Sequence, residues 1–372
     1  MRNLDNVHTI VVKVGTNLLT CPSGIDEKRI DGIVDQIAQL KKKGYQVLLV
    51  SSGAIGMGTK ELGIGHKVQQ IAMRQACASI GQPILMSSYR ASFSRHGIIC
   101  SQVLLTREEL NNRRTYVNLR NSIGTLLELG VVPVFNENDA VSTVEIGSAF
   151  GDNDRMAAMI ASKVDAQLLV ILSDIPGLYT ADPKKDPDAK FLSEIEKVDD
   201  TVLSYAGGAG SSLGTGGMKS KLLAARIAAI AGCASVIASG YESDALLRIV
   251  AGESLGSYIA PEGKLRQRSR WILNNSHKGS ITVDDGAFKA LKTHKSLLPK
   301  GVTGVEGTFD KGDVVQIKDS AGRAFAKAVV YYSSTEIAVA AGHRSSELSE
   351  ILGPDCKDVL FRPEDLVFLE EK

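Results

Sequence analysis

The sequence predicts a three-layer αβα sandwich with a mostly parallel central sheet, followed by a small β-barrel-like domain. Two observations predict the sandwich: short β-branched runs alternate with longer helical patterns from Thr9 to about Gly240, and several of these runs are almost entirely apolar. Parallel strands that are covered by helices on both faces show such continuous apolar runs. A third observation predicts the second domain, because short strands and turn residues take over after about residue 260.

The strands and helices of the first domain follow in order along the chain. Apolar residues at helical spacing run from Ile30 to Leu40, and Gly44 stands where a C-terminal cap belongs. A second helical pattern begins at Met218 and stops before Gly232. Alternating strands and helices imply right-handed crossovers, with ligands bound beyond the carboxyl ends of the strands. The predicted strands are Ile10–Val14, Val47–Ser51, Ile98–Leu105, Val131–Phe135, Leu168–Leu172 and Ser235–Ala238.

The second domain follows a basic segment. Residues 264–270 lead to Trp271, the only tryptophan of the chain, and we expect this segment to be a solvated connector. The short strands that follow are separated by turn residues, as is typical of a small sheet or barrel. We therefore expect a first domain over residues 1–262, a linker over 263–277 and a second domain over 278–372. The predicted strands of the second domain are Ser280–Val283, Val314–Lys318, Ala324–Val330 and Glu336–Ala340.

Composition and charge exclude several classes of function. The 372 residues include 43 lysines and arginines against 42 aspartates and glutamates, so no overall field draws the chain to nucleic acid or to an anionic membrane. The five cysteines are odd in number and scattered, which argues against a disulfide framework or a zinc site. The first residues lack the apolar core of a signal peptide, and no apolar run is long enough to span a bilayer. We expect a reduced, cytoplasmic protein with no membrane partner.

The segment from Leu213 to Lys221 opens the second predicted helix and carries the strongest signal for a bound anion. Three glycines in four positions let the backbone approach a bulky anion, and a helix N-terminus offers N–H groups to it. The spacing matches neither the Walker A loop nor the dinucleotide-binding turn. The alternative is a flexible surface loop that leads into a helix. The candidate phosphate-binding residues are Thr215, Gly216, Gly217, Met218, Lys219, Ser220 and Lys221.

Lys13 lies within the first predicted apolar strand and is followed by Gly15 and Thr16. A buried strand rarely carries a lysine without a partner, because desolvation of an ammonium group is costly. At the carboxyl end of a parallel strand, Lys13 would face a ligand at the mouth of the sheet. The alternative is a lysine that extends from the strand end into water.

Clusters of Asn, Asp, Ser and Gly follow other strands. The segment 51–58 combines hydroxyls, including Ser52, with glycines that permit a close approach of the backbone, including Gly53. Residues 136–139 and 151–154 are rich in Asn and Asp, as are loops that bind divalent cations, but the EF-hand spacing is absent. The same residue types suit an amino acid, with Asp pairing its ammonium group and Asn binding its carboxylate. Each cluster alone is equally well a helix cap or a turn.

The chemistry that these clusters favour is phosphoryl transfer to a carboxylate. No Ser-His-Asp set is indicated, the six histidines lie outside the clusters and no cysteine lies in a motif, which argues against covalent catalysis. A carboxylate is ionised at neutral pH and needs no base to attack phosphorus. It needs alignment and charge neutralisation, which lysines, N–H groups and Mg²⁺ supply. The segment 173–183 suits one wall of an adenine pocket and, equally, a structural turn.

Six motifs, in this order, resemble those of the amino acid kinase family: VVKVGTN, SSGAIGMG, NENDAV, GDND, LLVILSDIPGLYTADP and GTGGMKSKLLAA. The resemblance runs from about residue 9 to 260 and is closest to members that phosphorylate glutamate. The tail, from SITVDDGAFKAL to GTFDKGDVV, resembles the PUA domain that these kinases often carry. Other branches differ, since aspartate kinases end in ACT domains, while uridylate, carbamate and acetylglutamate kinases usually lack a PUA tail.

The resemblance implies transfer of the γ-phosphate of ATP, with Mg²⁺, to the side-chain carboxylate of L-glutamate. The product would be L-glutamate 5-phosphate, the first step of proline biosynthesis, with L-proline as a feedback inhibitor. Lys13 and Lys221 are implied to stabilise the phosphoryl group, and Asp154 to hold both lysines in place. The implied glutamate-binding residues are Ser52, Gly53, Asn136, Asp139 and Asn153. The implied ATP-binding residues are Lys13, Gly15, Ser173, Asp174 and the residues from Thr215 to Lys221; no residue is assigned to a metal.

The resemblance also implies a homo-oligomer, a dimer or a tetramer, and it makes glutamyl phosphate reductase, the next enzyme, a candidate partner. One departure is that residues 146–150 read IGSAF, where relatives often have a shorter segment with a lysine, so sensitivity to proline is open. Two rival functions also stay open: a sibling kinase with another substrate, and an RNA-binding protein. Residues 278–372 carry 13 lysines and arginines against 15 aspartates and glutamates, so we do not expect RNA binding.

Overall fold

The chain forms two compact units, Met1–Lys264 and Leu265–Lys372. The structure is a computed structural model that describes residues 2, 4–21, 24–66, 68–111, 113–141, 152–183, 185–206, 217–263, 265, 267–354 and 356–369. Within this described part of the chain, no helix combines the length and the apolar character needed to cross a bilayer.

The first unit is built on a mostly parallel sheet. Its described strands are, in chain order, β1 Thr9–Val14, β2 Gln46–Val50, β3 Cys100–Leu105, β4 Val132–Glu137, β5 Leu168–Ser173, β6 Glu194–Ile195, β7 Ala234–Ser239 and β8 Ser257–Ile259. They lie side by side in the order β6-β8-β7-β5-β1-β2-β4-β3. Strand β8 runs antiparallel to β7, and the other described pairs are parallel. Each strand predicted in this unit is present, and the predicted fold class is confirmed.

Helices cover both faces of this sheet. They are α1 Thr16–Leu19, α2 Glu27–Lys42, α3 Ala54–Glu61, α4 Ile71–Ser94, α5 Arg107–Asn111, α6 Arg113–Glu128, α7 Asp152–Lys163, α8 Asp200–Tyr205, α9 Met218–Ile230 and α10 Ala245–Val250. Neighbouring residues of β1 point to opposite faces, so Val12 packs in the cluster that contains α2, α4 and α10. Val11 packs in the cluster that contains α6, α7 and α9. These two apolar layers produce the three-layer sandwich.

Two predicted helix ends agree with the structure. Helix α2 ends at Lys42, and Gly44 takes a φ of 91° in the left-handed region that favours glycine. Helix α9 begins at Met218 and ends at Ile230, and Gly232 has a φ of 75°. Short hairpins pair Thr20–Cys21 with Gly24–Ile25, and Leu178–Tyr179 with Phe191–Leu192.

The second unit is a small sheet with its own apolar core. Its strands are β9 Gly279–Val283, β10 Val302–Gly307, β11 Val314–Lys318, β12 Ala324–Val329 and β13 Leu366–Phe368, in the order β10-β9-β11-β12-β13. Its helices are α11 Gln267–Asn274, α12 Asp285–Lys292, α13 Ser334–Ala340 and α14 Leu348–Leu352, with 3-10 turns at Pro299–Gly301, Ser345–Glu347 and Pro363–Asp365. Phe309 and Phe361 are among the residues that fill the core.

The strand predicted at Glu336–Ala340 is wrong, because this segment lies in α13. Ser333 and Glu336 form a reciprocal capping box: the Ser333 Oγ accepts from the Glu336 N–H, and the Glu336 carboxylate accepts from the Ser333 N–H at 2.7 Å. Ile337 and Ala340, three residues apart, are buried on the same face. The capping pair and this spacing outweigh the β-branched residues that suggested a strand.

The expected solvated connector also differs from the structure, since most of it lies in α11. Ile272 is fully buried and packs with Val314 and Val329 of the second unit, and Trp271 packs against the same cluster. Arg270 is buried as well. The basic residues at this end of the segment therefore belong to a packed helix. The prediction followed their charges and overlooked the apolar residues on the other side of the helix.

Candidate active site

A buried carboxylate between two lysines forms the centre of the site. Asp154 lies in the first turn of α7 and is fully buried. Its Oδ1 lies 2.7 Å from the Nζ of Lys13, in β1, and its Oδ2 lies 3.2 Å from the Nζ of Lys221, in the first turn of α9. Lys13 and Lys221 are almost as buried as Asp154, with relative accessible surfaces of 5% and 4%. The structure thus brings together three residues that the sequence predicted for catalysis.

The electrostatics of this triad follow from burial and mutual attraction. Burial alone would raise the pKa of Asp154, but the charges of Lys13 and Lys221 and hydrogen bonds to the carboxylate outweigh it and lower that pKa. Burial lowers the pKa of Lys221, Asp154 opposes this effect, and the like charge of Lys13 adds to it. With one carboxylate and two ammonium groups ionised, the triad carries a net positive charge in a poorly hydrated place.

The start of α9 adds backbone donors beside the triad. Ser220 donates from its Oγ to the Asp154 Oδ2 at 2.9 Å, which ties the first turn of α9 to the carboxylate. Gly217 is the N-cap residue, and no side chain of the described residues caps this helix end. A Cβ built on Gly217 would meet no atom of the described residues within 4 Å. An uncapped helix start next to net positive charge suits an anion.

A connected row of polar side chains lies at the ends of β2 and β4. The Asn153 Nδ2 donates to the Ser52 Oγ at 3.0 Å and to the Asn136 Oδ1 at 3.1 Å. Asn136 in turn donates from its Nδ2 to the Oε1 of Gln82, in α4, at 2.8 Å. The Gln82 Nε2 lies 3.3 Å from the Oε1 of Gln102. Asn153 directly precedes Asp154, so this row adjoins the charged triad.

The end of β5 provides another polar group on the same edge of the sheet. The Ser173 Oγ donates to the Asp174 Oδ1 at 3.0 Å, and the Asn17 Nδ2 donates to the Asp174 Oδ2 at 2.8 Å. Burial would raise the pKa of Asp174, but the hydrogen bonds from Asn17 and Ser173 and the charge of Lys221 lower it overall. The Gly15 N–H donates to the backbone of this strand at Leu172, at 3.1 Å.

Other predicted site residues are placed differently. Gly53 has a φ of 101° at the start of α3, and Asp139 is half-buried in the turn after β4. Lys219 is exposed, and the Met218 side chain packs against the apolar cluster around α7 and α9. Four predicted or noted segments lie outside the described residues: Thr215, Gly216, Gly151 and residues 146–150.

Sequence reasoning missed several residues of this region. Gln82 and Gln102 extend the polar row, Asn17 supports Asp174, and the buried Tyr89 hydroxyl lies 3.0 Å from the Ser51 Oγ. Gln82 lies in the middle of a helix of 24 residues, where a lone glutamine gives no signal. Asn17 stands within the VVKVGTN motif, and its position after the lysine and glycine was the available clue.

Comparison with known proteins shows the family to which the chain belongs. The family model "Amino acid kinase family" matches residues 8–239, and the model "PUA domain" matches residues 279–352. The chain is 44% identical to the glutamate 5-kinase of Methanosarcina barkeri, over 99% of this chain and 98% of the relative. It is 42% identical to the glutamate 5-kinase of Citrifermentans bemidjiense, over 98% and 99%. Among solved structures it is similar to carbamate kinase from Giardia lamblia bound to AMP-PNP, at 19% identity and a TM-score of 0.49, over 69% and 99% of the two chains.

The match to the family model and the matches to the glutamate 5-kinases define a phosphotransferase of the amino acid kinase class. The chain belongs to the amino acid kinase family, and within it to the group of the glutamate 5-kinases.

The triad generates a prediction about stability and pH. Asp154→Asn should destabilise the fold by about 3–5 kcal/mol at pH 7, because it leaves two buried ammonium groups without their carboxylate. The folded-state pKa of Asp154 is lowered, so its stabilisation is complete above the unfolded pKa of about 3.9 and is lost as pH falls through the folded pKa. The stability difference between the two proteins should therefore be constant above about pH 5 and shrink in stronger acid.

Urea unfolding followed by circular dichroism between pH 7 and pH 3 measures this difference. The exposed Asp200 provides the control, since Asp200→Asn should change the free energy of unfolding by less than about 0.5 kcal/mol. A difference between wild type and Asp154→Asn that does not shrink in acid would contradict the assigned ion pairs.

Proposed function

We propose that this protein transfers the γ-phosphoryl group of ATP to the side-chain carboxylate of L-glutamate, giving L-glutamate 5-phosphate and ADP, at the first step of proline biosynthesis. The observation that carries the proposal is the buried Asp154 that holds Lys13 and Lys221 at the carboxyl edge of the sheet, beside a neutral polar pocket. The curated glutamate 5-kinases that match nearly the whole chain support glutamate as the substrate.

The chemical step needs charge neutralisation and alignment more than proton transfer. A side-chain carboxylate oxygen attacks the γ-phosphorus, the new O–P bond forms, and the bond to the bridging oxygen breaks with its electron pair leaving on ADP. The ammonium groups of Lys13 and Lys221 stabilise negative charge on the moving phosphoryl oxygens. Asp154 contacts both ammonium groups and holds them in place, so it is a positioning residue.

Glutamate binds at the polar row in this proposal. Ser52, Asn153 and Asn136 are linked by hydrogen bonds next to the triad, which supports a pocket for a small zwitterion there. Asp139 pairs with the α-ammonium group, and the backbone at Gly53, with its left-handed φ, opens the start of α3 toward the substrate.

ATP binds at the start of α9 and along the ends of β1 and β5. The backbone N–H groups of this helix start and Lys221 receive its phosphates, together with Thr215, Gly216, Met218, Lys219 and Ser220 of the glycine-rich segment. Gly15, Ser173 and Asp174 line the neighbouring edge. Mg²⁺ would arrive on the ATP phosphates, because Mg²⁺ in such sites takes much of its coordination from phosphate oxygens and water. Asp154 does not suit the metal, since both of its oxygens face ammonium groups.

The functions of the two domains and the remaining partners are also part of this proposal. We assign catalysis to residues 1–262, because the site residues all lie between Lys13 and Lys221. We assign the PUA domain to residues 278–372, with α11 before it packed in the same second unit instead of forming a linker over 263–277. We further propose a cytoplasmic homo-oligomer that L-proline inhibits and that hands its labile acyl phosphate to glutamyl phosphate reductase. RNA binding by the second unit is not proposed, since its acidic residues outnumber its basic ones.

A direct assay tests the proposed function. The purified protein with ATP, Mg²⁺ and L-glutamate should form ADP, and hydroxylamine should trap the acyl phosphate as a hydroxamate. N-acetylglutamate, carbamate and UMP should give less than about 1% of this rate, because each lacks the free α-ammonium group or the α-carboxylate that the site must satisfy. Aspartate has the same amino-acid head and should react more slowly, because its shorter side chain does not bring the carboxylate to the γ-phosphorus. Faster turnover of any of them would assign the chain to a sibling activity. Addition of L-proline to the same assay shows whether it inhibits.

Lys221 should act mainly in the transition state. Lys221→Ala should lower kcat by about two to four decades with a smaller change in KM, because it removes one preorganised positive charge from the moving phosphoryl group. Lys13→Ala should behave similarly. The exposed Lys219 is the neighbouring comparison, and Lys219→Ala should raise the KM for ATP while kcat stays within about threefold. A Lys221→Ala enzyme with near-normal kcat would remove Lys221 from the mechanism.

A chain that ends at Glu262 should fold and still phosphorylate glutamate. The cut keeps two backbone hydrogen bonds of 2.9 Å each, from the Ala260 N–H to the Ile195 carbonyl and from the Glu262 N–H to the Ala229 carbonyl. It falls before α11, which packs with the second unit. We expect kcat within about threefold of the full chain, because the cut separates two compact units. A monodisperse, folded product without activity, judged by light scattering and circular dichroism, would show that the second unit helps to build the active site.

A further inference from the structure

We infer that Gln82, in the middle of α4, is a positioning residue that, together with the backbone N–H of Glu137, holds the Asn136 amide in place and so supports selection of a substrate with a free α-ammonium group. This inference rests on the proposed function and deepens it. The Gln82 side chain is 8% exposed, and its Oε1 accepts from the Asn136 Nδ2 at 2.8 Å.

The polarity of the row is fixed at one point by a backbone group. The Glu137 N–H donates to the Asn136 Oδ1 at 3.0 Å, and a backbone N–H can only donate. The oxygen of the Asn136 amide therefore faces this N–H, and its NH₂ group faces the other way, toward Gln82. Gln82 must then present its oxygen to Asn136, which leaves its own NH₂ group toward Gln102.

The orientation of the Asn136 amide also determines the orientation of the Asn153 amide, which donates to it. The Asn136 Oδ1 also accepts from Asn153, so the group that Asn153 presents there is its NH₂. The second N–H of that NH₂ group donates to the Ser52 Oγ, so both of its hydrogens are used. The Asn153 Oδ1 is buried, and among the described residues it has no hydrogen-bond partner. The Ser52 hydroxyl accepts from Asn153, so its own hydrogen is oriented away from that bond.

The pocket therefore presents one acceptor and one donor to a ligand. The Asn153 carbonyl oxygen suits an ammonium group, and the Ser52 hydroxyl suits a carboxylate. An α-amino acid head carries both groups, whereas a dicarboxylate without nitrogen leaves the Asn153 oxygen buried and unsatisfied. A site built around a substrate N–H rejects analogues that lack it more strongly than a site that only accommodates shape.

Packing holds Gln82 at this point. A Cβ on the preceding residue, Gly81, would lie 1.8 Å from the carbonyl oxygen of Ala54, so only glycine lets α4 contact the backbone of α3 there. Gly58 makes the reciprocal contact, since its Cβ would lie 1.8 Å from the carbonyl oxygen of Cys77. This close contact between α3 and α4 fixes the helix that carries Gln82. Gln102, by contrast, is exposed.

The test compares three variants in glutamate and glutarate, the analogue without the amino group. Gln82→Met keeps the length but removes the acceptor, so the NH₂ group of Asn136 loses its partner and only the Glu137 N–H still holds this amide. We expect the KM for glutamate to rise about tenfold, the preference for glutamate over glutarate in kcat/KM to fall about tenfold, and the KM for ATP to stay within about twofold. Gln82→Glu retains an acceptor toward Asn136 and should keep at least the wild-type preference. Gln39→Met alters an exposed glutamine of α2, outside the polar row, and should change each value by less than about twofold.

The outcomes separate this inference from the proposed function. Wild-type protein that fails to phosphorylate glutamate would remove the function itself. Wild-type activity combined with an unchanged preference in Gln82→Met would overturn the role of Gln82 alone. Equal losses in Gln82→Met and Gln82→Glu, or a rise in the KM for ATP that matches the rise for glutamate, would mean that Gln82 only supports the fold and would likewise overturn it. Thermal melting of each variant, measured in parallel, checks that the proteins compared are folded.

Discussion

The site depends on one buried ion pair network, the Asp154 carboxylate between the ammonium groups of Lys13 and Lys221. Burying two ammonium groups would be unfavourable without this carboxylate, because neither lysine would have a counter-charge in a place that water barely reaches. The three residues come from β1, α7 and α9, so the network also fixes the relative positions of a strand end and two helix starts. Its charge does not cancel, and the excess positive charge remains where a phosphoryl group would lie.

A second property of the site is that its two halves have different electrical character. The triad is charged, whereas the row of Ser52, Asn153, Asn136 and Gln82 is neutral. Neutral amides do not compete with a phosphoryl group for the lysines, as further carboxylates would. They still carry direction, since the Glu137 N–H sets which end of each amide faces the ligand. In the proposed function, charge would therefore serve the reaction, and hydrogen-bond polarity would serve recognition of the substrate.

The sequence predicted the charged half well and the neutral half only in part. Lys13 was found because a lysine in an apolar run is costly, and the parallel strands followed from their continuous apolar runs. Gln82 was missed because its role depends on α4 lying against α3 through Gly81 and Gly58, a tertiary contact that no local pattern encodes. The strand predicted at Glu336–Ala340 was wrong because the β-branched residues were weighed above the capping pair.

The second unit shows the same limit of local reasoning. A run of arginines suggested a solvated connector, yet α11 buries Ile272 and sets Trp271 against the sheet of that unit. Arg268 forms an ion pair with Asp365, which is almost fully buried and also accepts from the Tyr331 hydroxyl. Because Arg268 and Asp365 lie near opposite ends of this unit in sequence, their contact joins its first helix to its last strand region. A segment held in this way by its own unit is part of that unit's fold, which is why charge along a chain does not by itself mark a linker.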